Sequence, residues 1–385
     1  MDINGVVKVK ENHKPIPYAS IYINNSSIGT SSDVDGKFKL TNLQQQSVEL
    51  VVTAIGYQSL SMNVQLPLKE PLQILLELKA KEIEEIVVMG YVKDGWKKWG
   101  LFFTESLIGV GYNAEQTKIE NSEVVKFRYD KEGKILTAFC EEPLIIHNKK
   151  LGYRITYDLT AFSYDFKMNA LYFEGYAFFD DLGKGKKAFQ RARKATYDVS
   201  LMKFIRSTYH KKWKQDGYIV RKLVKKDNQT RIEALAKHKE ITSLVNEKYQ
   251  KNWKLFYVSQ KEISADYVQS LVKQSNQPPQ ISYLMGEMNP QDIIVNEDEL
   301  KQLKELSFSD YLYVIYPAVF ENAKDKMLQD ASSQVSEVQL LSEERVLVDA
   351  SGNFFPASNL FFHGFMVNFS KLAFVLPLDY IDEKE

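Results

Sequence analysis

The sequence predicts a mainly β chain with inserted helices, an α+β fold. A small N-terminal β-sandwich is expected over residues 1–80, a linker or strand at 81–95, and a larger β-rich domain at 96–385, with helical insertions near 184–214, 230–250 and 296–306. Three observations carry this. The 385 residues include 22 Tyr, 22 Phe and 4 Trp, types that favour strands and bury large areas each. Turn signals recur roughly every 8–12 residues through the first eighty, the rhythm of a small sandwich. The length suggests two or three domains at ~100–200 residues each, and 44% hydrophobic with 26% charged residues is ordinary for a globular chain.

The N-terminal elements follow in order. "NGVVKVK" (4–10) reads as a strand, and "HKPIPYASIYI" (13–23) as a second with prolines at its entrance. "SSIGTSS" and "KFKL" flank a turn at "DVDG". "SVELVVTAIGY" (47–57) alternates as a half-buried strand does, and "QSLSMNVQL" (58–66) and "LQILLELKA" (72–80) complete the set. "KEIEEIVVMGY" (81–91) then runs from a charged linker into an apolar β-branched stretch.

In "KDGWKKWGLFFTESLIG" (93–109), Trp96, Trp99, Phe103 and Leu107 stand near helical spacing, which predicts a helix that docks the two domains together. Residues 122–182 are strongly β. "SEVVKFRYD" and "KILTAFC" form a hairpin around Gly133. Tyr153, Ile155 and Tyr157 alternate with Arg154, Thr156 and Asp158, which puts an aromatic face on one side of a sheet. Residues 183–215 turn helical and basic, with eleven Lys/Arg against one Asp, and "DGYIVRKLV" (216–224) is a strand. "TRIEALAKHKEITSLVNEKY" and "NEDELKQLKEL" (296–306) read as helices, "SNQPPQ" (275–280) as a loop and "YLYVIY" (311–316) as a buried strand. The C-terminus returns to β structure with "EVQLL", "RVLVDASGNFFPASNLFFHGFMV" and "KLAFVLPLDY".

Charge and composition exclude several classes. Fifty basic and fifty acidic residues cancel, so nothing in the total favours nucleic acid or an anionic membrane. The single Cys140 excludes an internal disulfide framework and a cysteine-based zinc site. No run of about 18 apolar residues predicts a membrane helix. "MDINGVVKVKE" is strand-like and has no basic-plus-apolar leader, so the chain reads either as cytoplasmic or as one whose signal peptide has been removed.

The chemical motifs are tested one by one. A calcium loop opening at Asp33 needs Gly at its sixth position and Glu at its twelfth, where Phe38 and Gln44 stand. A hairpin turn needs only Asp and Gly between strands, and "DVDGKF" supplies both. None of His13, His147, His210, His238 and His363 starts an HxxE or HExxH pattern. No GxSxG elbow or phosphate loop occurs, and "GVGYNA" (109–114) lacks a βαβ context. Glu141 and Glu142 beside Cys140 point to opposite strand faces and make no carboxylate pair. The basic run at 184–214 could hold phosphate or an anionic surface, but a solvated helix face balanced by acids elsewhere explains it more simply. The aromatic residues of 153–179 could stack a sugar or a peptide, but core packing accounts for them more simply.

As a set, the N-terminal residues resemble the carboxypeptidase regulatory-like domain. They are Gly5 and Val7, then Pro15, Ile16 and Ala19 with an added Pro17 and Tyr18, then Thr30, Asp33, Asp35, Gly36 and Phe38, and finally Gly56 and Tyr57. The resemblance covers residues 3–80 and implies a transthyretin-like, Ig-like sandwich, a binding or structural module without catalytic residues. "EIEEIVVMGY" is similar to the segment that follows this module in TonB-dependent transporters of Bacteroidetes-type bacteria, but the chain after Gly90 is too short for a twenty-two-stranded barrel and plug. "PLIIHNKKLGYRITYDLTAF", "GYIVRKL" and "LPLDY" resemble envelope proteins of the same bacteria that join this module to a β-rich region of unassigned function.

The first functional reading is therefore a non-enzymatic cell-envelope protein, periplasmic or outer-membrane associated, that binds a protein or glycan or serves as scaffold. It assigns no catalytic, cofactor-binding or metal-binding residue. The second is a hydrolase with a site assembled in the second domain, where Asp158, His147 and Glu142 are the polar residues to inspect. The third has residues 82–91 pairing as a strand with a partner in an outer-membrane transport system.

Overall fold

The computed structural model describes residues 1–79, 90–316 and 334–382. Its first seven strands are β1 (Ile3–Val9), β2 (Ser20–Ile23), β3 (Gly29–Ser31), β4 (Lys37–Leu40), β5 (Ser47–Thr53), β6 (Leu60–Gln65) and β7 (Leu72–Leu76). They make two sheets, ordered β4-β1-β7 and β3-β2-β5-β6. Period-two alternation sends Ile3, Val7 and Val9, Ile21 and Ile23, Val48, Leu50 and Val52, and Ile74 and Leu76 into one shared apolar core, so the pair is a sandwich.

The "DVDG" turn corrects one expectation. It does not close a hairpin, because β3 and β4 belong to different sheets. The Asp33 carboxylate accepts from the amides of Asp35 at 2.9 Å and Lys37 at 2.8 Å, and Gly36 takes φ +75°. The Gly36 carbonyl then accepts from Val7 N at 2.8 Å, which extends the pairing of β4 with β1 in their own sheet. Both amides share one Asp33 oxygen, Oδ1, so this carboxylate serves the turn.

After Gly90 come α1 (Gly95–Leu107), α2 (Tyr112–Glu115), β8 (Thr117–Ile119), β9 (Val125–Asp130), β10 (Ile135–Cys140), β11 (Leu144–Asn148), β12 (Tyr153–Asp165) and β13 (Ala170–Asp181). The thirteen-residue β12 pairs with β11 near its start and β10 near its end, and with β13 along its length. The apolar stripe of α1 packs on this sheet: Phe103 lies 4.8 Å from Phe162 and 5.6 Å from Phe127, and Trp99 5.3 Å from Tyr129, ring centre to ring centre. It was expected to dock two domains together, but it belongs to the core on this side only.

Then follow α3 (Lys187–Tyr197), α4 (Leu201–Tyr209), β14 (Ile219–Asp227), α5 (Gln229–Lys248), α6 (Trp253–Ser259), α7 (Ala265–Ser275) and β15 (Gln280–Glu287). The helices α5–α7 are an insertion between two paired strands and bury a small core of their own around Ile241, Val245 and Phe256. Only the first of the three was legible in the sequence.

The remaining elements are β16 (Ile294–Asp298), β17 (Leu303–Leu306), β18 (Tyr311–Ile315), β19 (Val335–Leu340), β20 (Val346–Asp349), β21 (Phe354–Phe355), β22 (Leu360–Gly364) and α8 (Phe365–Phe369). They build sheets ordered β15-β14-β18-β19-β22 and β16-β17-β20-β21. Residues 296–306, expected as a helix, form β16, a turn and β17. Glu297 and Lys304, which resemble two turns of a charged helix, instead face each other across the strand pair with an ion pair of 2.8 Å. "KLAFVLPLDY", expected as a strand, is an irregular tail. The strand expected at 82–91 lies outside the described residues but for Gly90 and Tyr91, neither of which is in a strand.

Candidate functional site

The three residues singled out for a hydrolase are not brought to one point. His147 on β11 lies across from Arg154 on β12, and both approach Glu120, His147 Nδ1 at 3.6 Å and Arg154 at 3.5 Å. Asp158 is four residues further along β12, about 13 Å at the rise of a strand. Glu142 is exposed in the loop before β11. Among the described residues no group of three or more His, Cys, Asp or Glu could hold a metal ion. Burial pushes the Cys140 thiol up to about 12, and the nearby Asp158 charge adds to it, which opposes formation of a nucleophilic thiolate.

What converges instead is a junction between the sandwich and the six-stranded sheet. Facing residues of an antiparallel pair share a face, so Phe178 and Tyr176 stand beside Thr156 and Asp158. Onto this face the sandwich lowers Tyr22, its ring 5.5 Å from Phe178. Gly29 lies so close to Phe178 that a Cβ there would meet the ring at 2.6 Å.

The loop 24–28 then docks by its backbone. Asn25 N donates to Ala177 O at 2.8 Å, Phe179 N to Ser26 O at 2.9 Å, and Ala177 N to Asn24 Oδ1 at 3.0 Å. Ser26 and Phe178 form a parallel bridge. The Glu49 carboxylate accepts from Asn24 Nδ2 at 2.7 Å and from the Ser61 hydroxyl, and Ser61 also reaches Tyr176. A chain of hydrogen bonds thus runs from sandwich to sheet. The Tyr22 hydroxyl is buried without a partner; burial chiefly, and then the Asp158 charge, raise its pKa.

The C-terminal tail closes the junction. Asp379 accepts from Ser27 N at 2.8 Å and from the Ser27 hydroxyl, and Leu378 N donates to Asn25 O at 2.7 Å. Arg206 on α4 donates to Leu378 O at 3.0 Å, Tyr380 O at 2.9 Å and Ser351 O at 2.9 Å. "LPLDY" is therefore a clasp between the sandwich, α4 and the loop after β20.

The basic run of 184–214 supplies the adjoining layer, and much of it is matched in place. Arg193 donates twice to Asp181, at 2.6 and 2.9 Å, donates to Leu151 O at 2.8 Å, and lies 3.9 Å above the Tyr153 ring. This bidentate partner holds the Asp181 carboxyl below its ordinary range. Lys194 pairs with Asp198 at 2.8 Å and Asp382 at 2.7 Å, and Lys203 with Asp198 at 2.8 Å. With its central cations tied to carboxylates and carbonyls, this layer is not a preformed phosphate cradle. Outside it, Lys371 lies 5.3 Å from the Phe173 ring, and burial lowers its pKa to about 8.

Sequence reasoning missed Asn24, Asn25, Ser27, Glu49 and Asp379 as a unit. The available signal was a polar "NNSS" between two strands and an Asp in an apolar tail, separated by some 350 positions.

Residues 3–88 match the family model of the CarboxypepD_reg-like domain, in agreement with the motif set from Gly5 to Tyr57. Over 89 residues, 23% of this chain, the sequence is 30% identical to the TonB-dependent receptor SusC of Bacteroides thetaiotaomicron. The chain spans only 8% of that receptor's length. A solved structure of a protein of unknown function from Bacteroides fragilis aligns over 92% of this chain and 91% of its own. Its identity is 9% and the TM-score 0.16, so it carries no argument about the fold.

Proposed function

We propose that this chain is a non-enzymatic binding or scaffold protein of the Bacteroidetes cell envelope, periplasmic or associated with the outer membrane. In this reading residues 1–80 are the regulatory-like sandwich, 81–95 the connection, and 96–385 a β-rich domain that presents the binding surfaces. The observation that carries it is the CarboxypepD_reg-like domain at residues 3–88, whose polar loop residues are spent on docking to the sheet. A second reading, a partner of an outer-membrane transport system, is supported by the similarity of part of this chain to a TonB-dependent receptor.

Fractionation of cells expressing the full-length gene tests the setting. Recovery with envelope fractions is expected, and recovery from the cytoplasm alone overturns it. Incubation of the purified protein with peptide and glycan mixtures tests the chemistry. No turnover is expected, and a hydrolysis abolished by Asp158→Asn or His147→Ala would overturn the non-enzymatic reading.

A further inference from the structure

The five-stranded sheet ends unequally. At one edge β22 is five residues long and runs directly into α8, which packs back on β22 and β19. At the other, β15 is eight residues long and every one of them is exposed. Ile281, Tyr283, Leu284 and Met285 each keep 40–50% of their surface open to solvent. From Gln280 to Gly286 the strand carries no charge and no proline. Edge strands of monomers are ordinarily blunted by lysine, proline or a covering segment, because their free N–H and C=O groups template another strand.

We propose that β15 is a homodimer interface, pairing antiparallel with β15 of a second copy to join two five-stranded sheets into one. Self-complementarity argues for this occupant. A two-fold axis normal to a continuous sheet preserves its faces, so it must set one residue opposite its own copy. The register with β14 is regular from Gln280 to Leu284 and shifts beyond it, which makes Ser282 the centre of the regular stretch. An axis there sets Ile281 against Tyr283 of the second copy, a β-branched and aromatic cross-strand pair. On the other face Gln280 meets Leu284 and Ser282 meets its own copy. No like charges oppose one another, and the zero net charge of the chain adds no repulsion. A two-fold dimer is the commonest closed assembly. Strand pairing alone buries less than the ~800 Å² per partner of a standard interface, so the dimer is weak and concentration-dependent.

Sedimentation velocity on the full chain from about 1 to 200 μM tests this, with affinity expected in the micromolar range. Ser282→Lys places two ammonium groups across the axis at an exposed position, and Ser282→Glu two carboxylates. The native chain is expected to shift from monomer to dimer across that range. Each variant alone should stay monomeric with unchanged circular dichroism, and an equimolar mixture of the two should dimerise again. A native chain that stays monomeric throughout, or a dimer that Ser282→Lys leaves intact, overturns the proposal.

Discussion

Gly36 and Gly56 both take positive φ, +75° and +84°, yet only one is hemmed in. A Cβ at Gly36 would come within 2.5 Å of Val7 O, whereas nothing lies within 4 Å of one at Gly56. Gly36→Ala should therefore cost the backbone strain of about 1–3 kcal/mol and disturb the Val7–Gly36 bond between β1 and β4, while Gly56→Asn should be nearly neutral. Thermal unfolding of the full chain reads the difference. Lys371 gives a second residue-scale prediction. Its folded pKa, about 8, lies below the ordinary 10.5. The unfolded state thus binds more protons between those values, so this group's destabilising effect is full below pH 8 and fades as the pH rises towards 10.5. Lys371→Met should raise the melting temperature at pH 7, with the gain disappearing by about pH 10.5.

At the scale of elements, Arg193 ties α3 to the end of the six-stranded sheet. Arg193→Ala would strip Asp181 of its bidentate partner and uncover Tyr153, at a cost of about 2–4 kcal/mol in denaturant unfolding once the partial exposure of Asp181 is allowed for. The Asp181 carboxyl is held low by Arg193, so the pair's contribution is present above the ordinary carboxylate range and lost on acidification through the folded pKa. The Asp181→Asn chain should lose that part of the acid dependence. The strands of the sandwich were legible because each is short, alternating and bounded by turn residues. The strands β16 and β17 were not, since Glu and Lys spaced for a helix are equally spaced for a cross-strand pair, and only the partner β20 decides. The junction was illegible for a similar reason: its bonds join loop, strand and tail far apart in sequence, and most use backbone groups that every residue type carries.

At the scale of the whole molecule, several tyrosines have their pKa raised by burial: Tyr22, Tyr157, Tyr218 and Tyr316. Unfolded tyrosine ionises near 10 while these stay protonated, so the folded state binds more protons above that pH and stability falls. Absorbance at 295 nm should therefore show a late group of tyrosines that ionises only as the chain unfolds. The functional reading rests on the sandwich and sheet forming one fixed body, whose polar groups hold architecture in place of chemistry. Hydrogen exchange at the junction tests this most directly. The amides of Asn25, Ser27, Ala177, Phe179 and Leu378 should be protected like core strands in the native chain. Asp379→Ala, which removes both acceptors of Ser27, should speed the exchange of Asn25, Ser27 and Leu378 about 5- to 150-fold, the equivalent of about 1–3 kcal/mol. Junction amides that exchange in the native chain as freely as an open loop, or that do not respond to Asp379→Ala, would contradict the account.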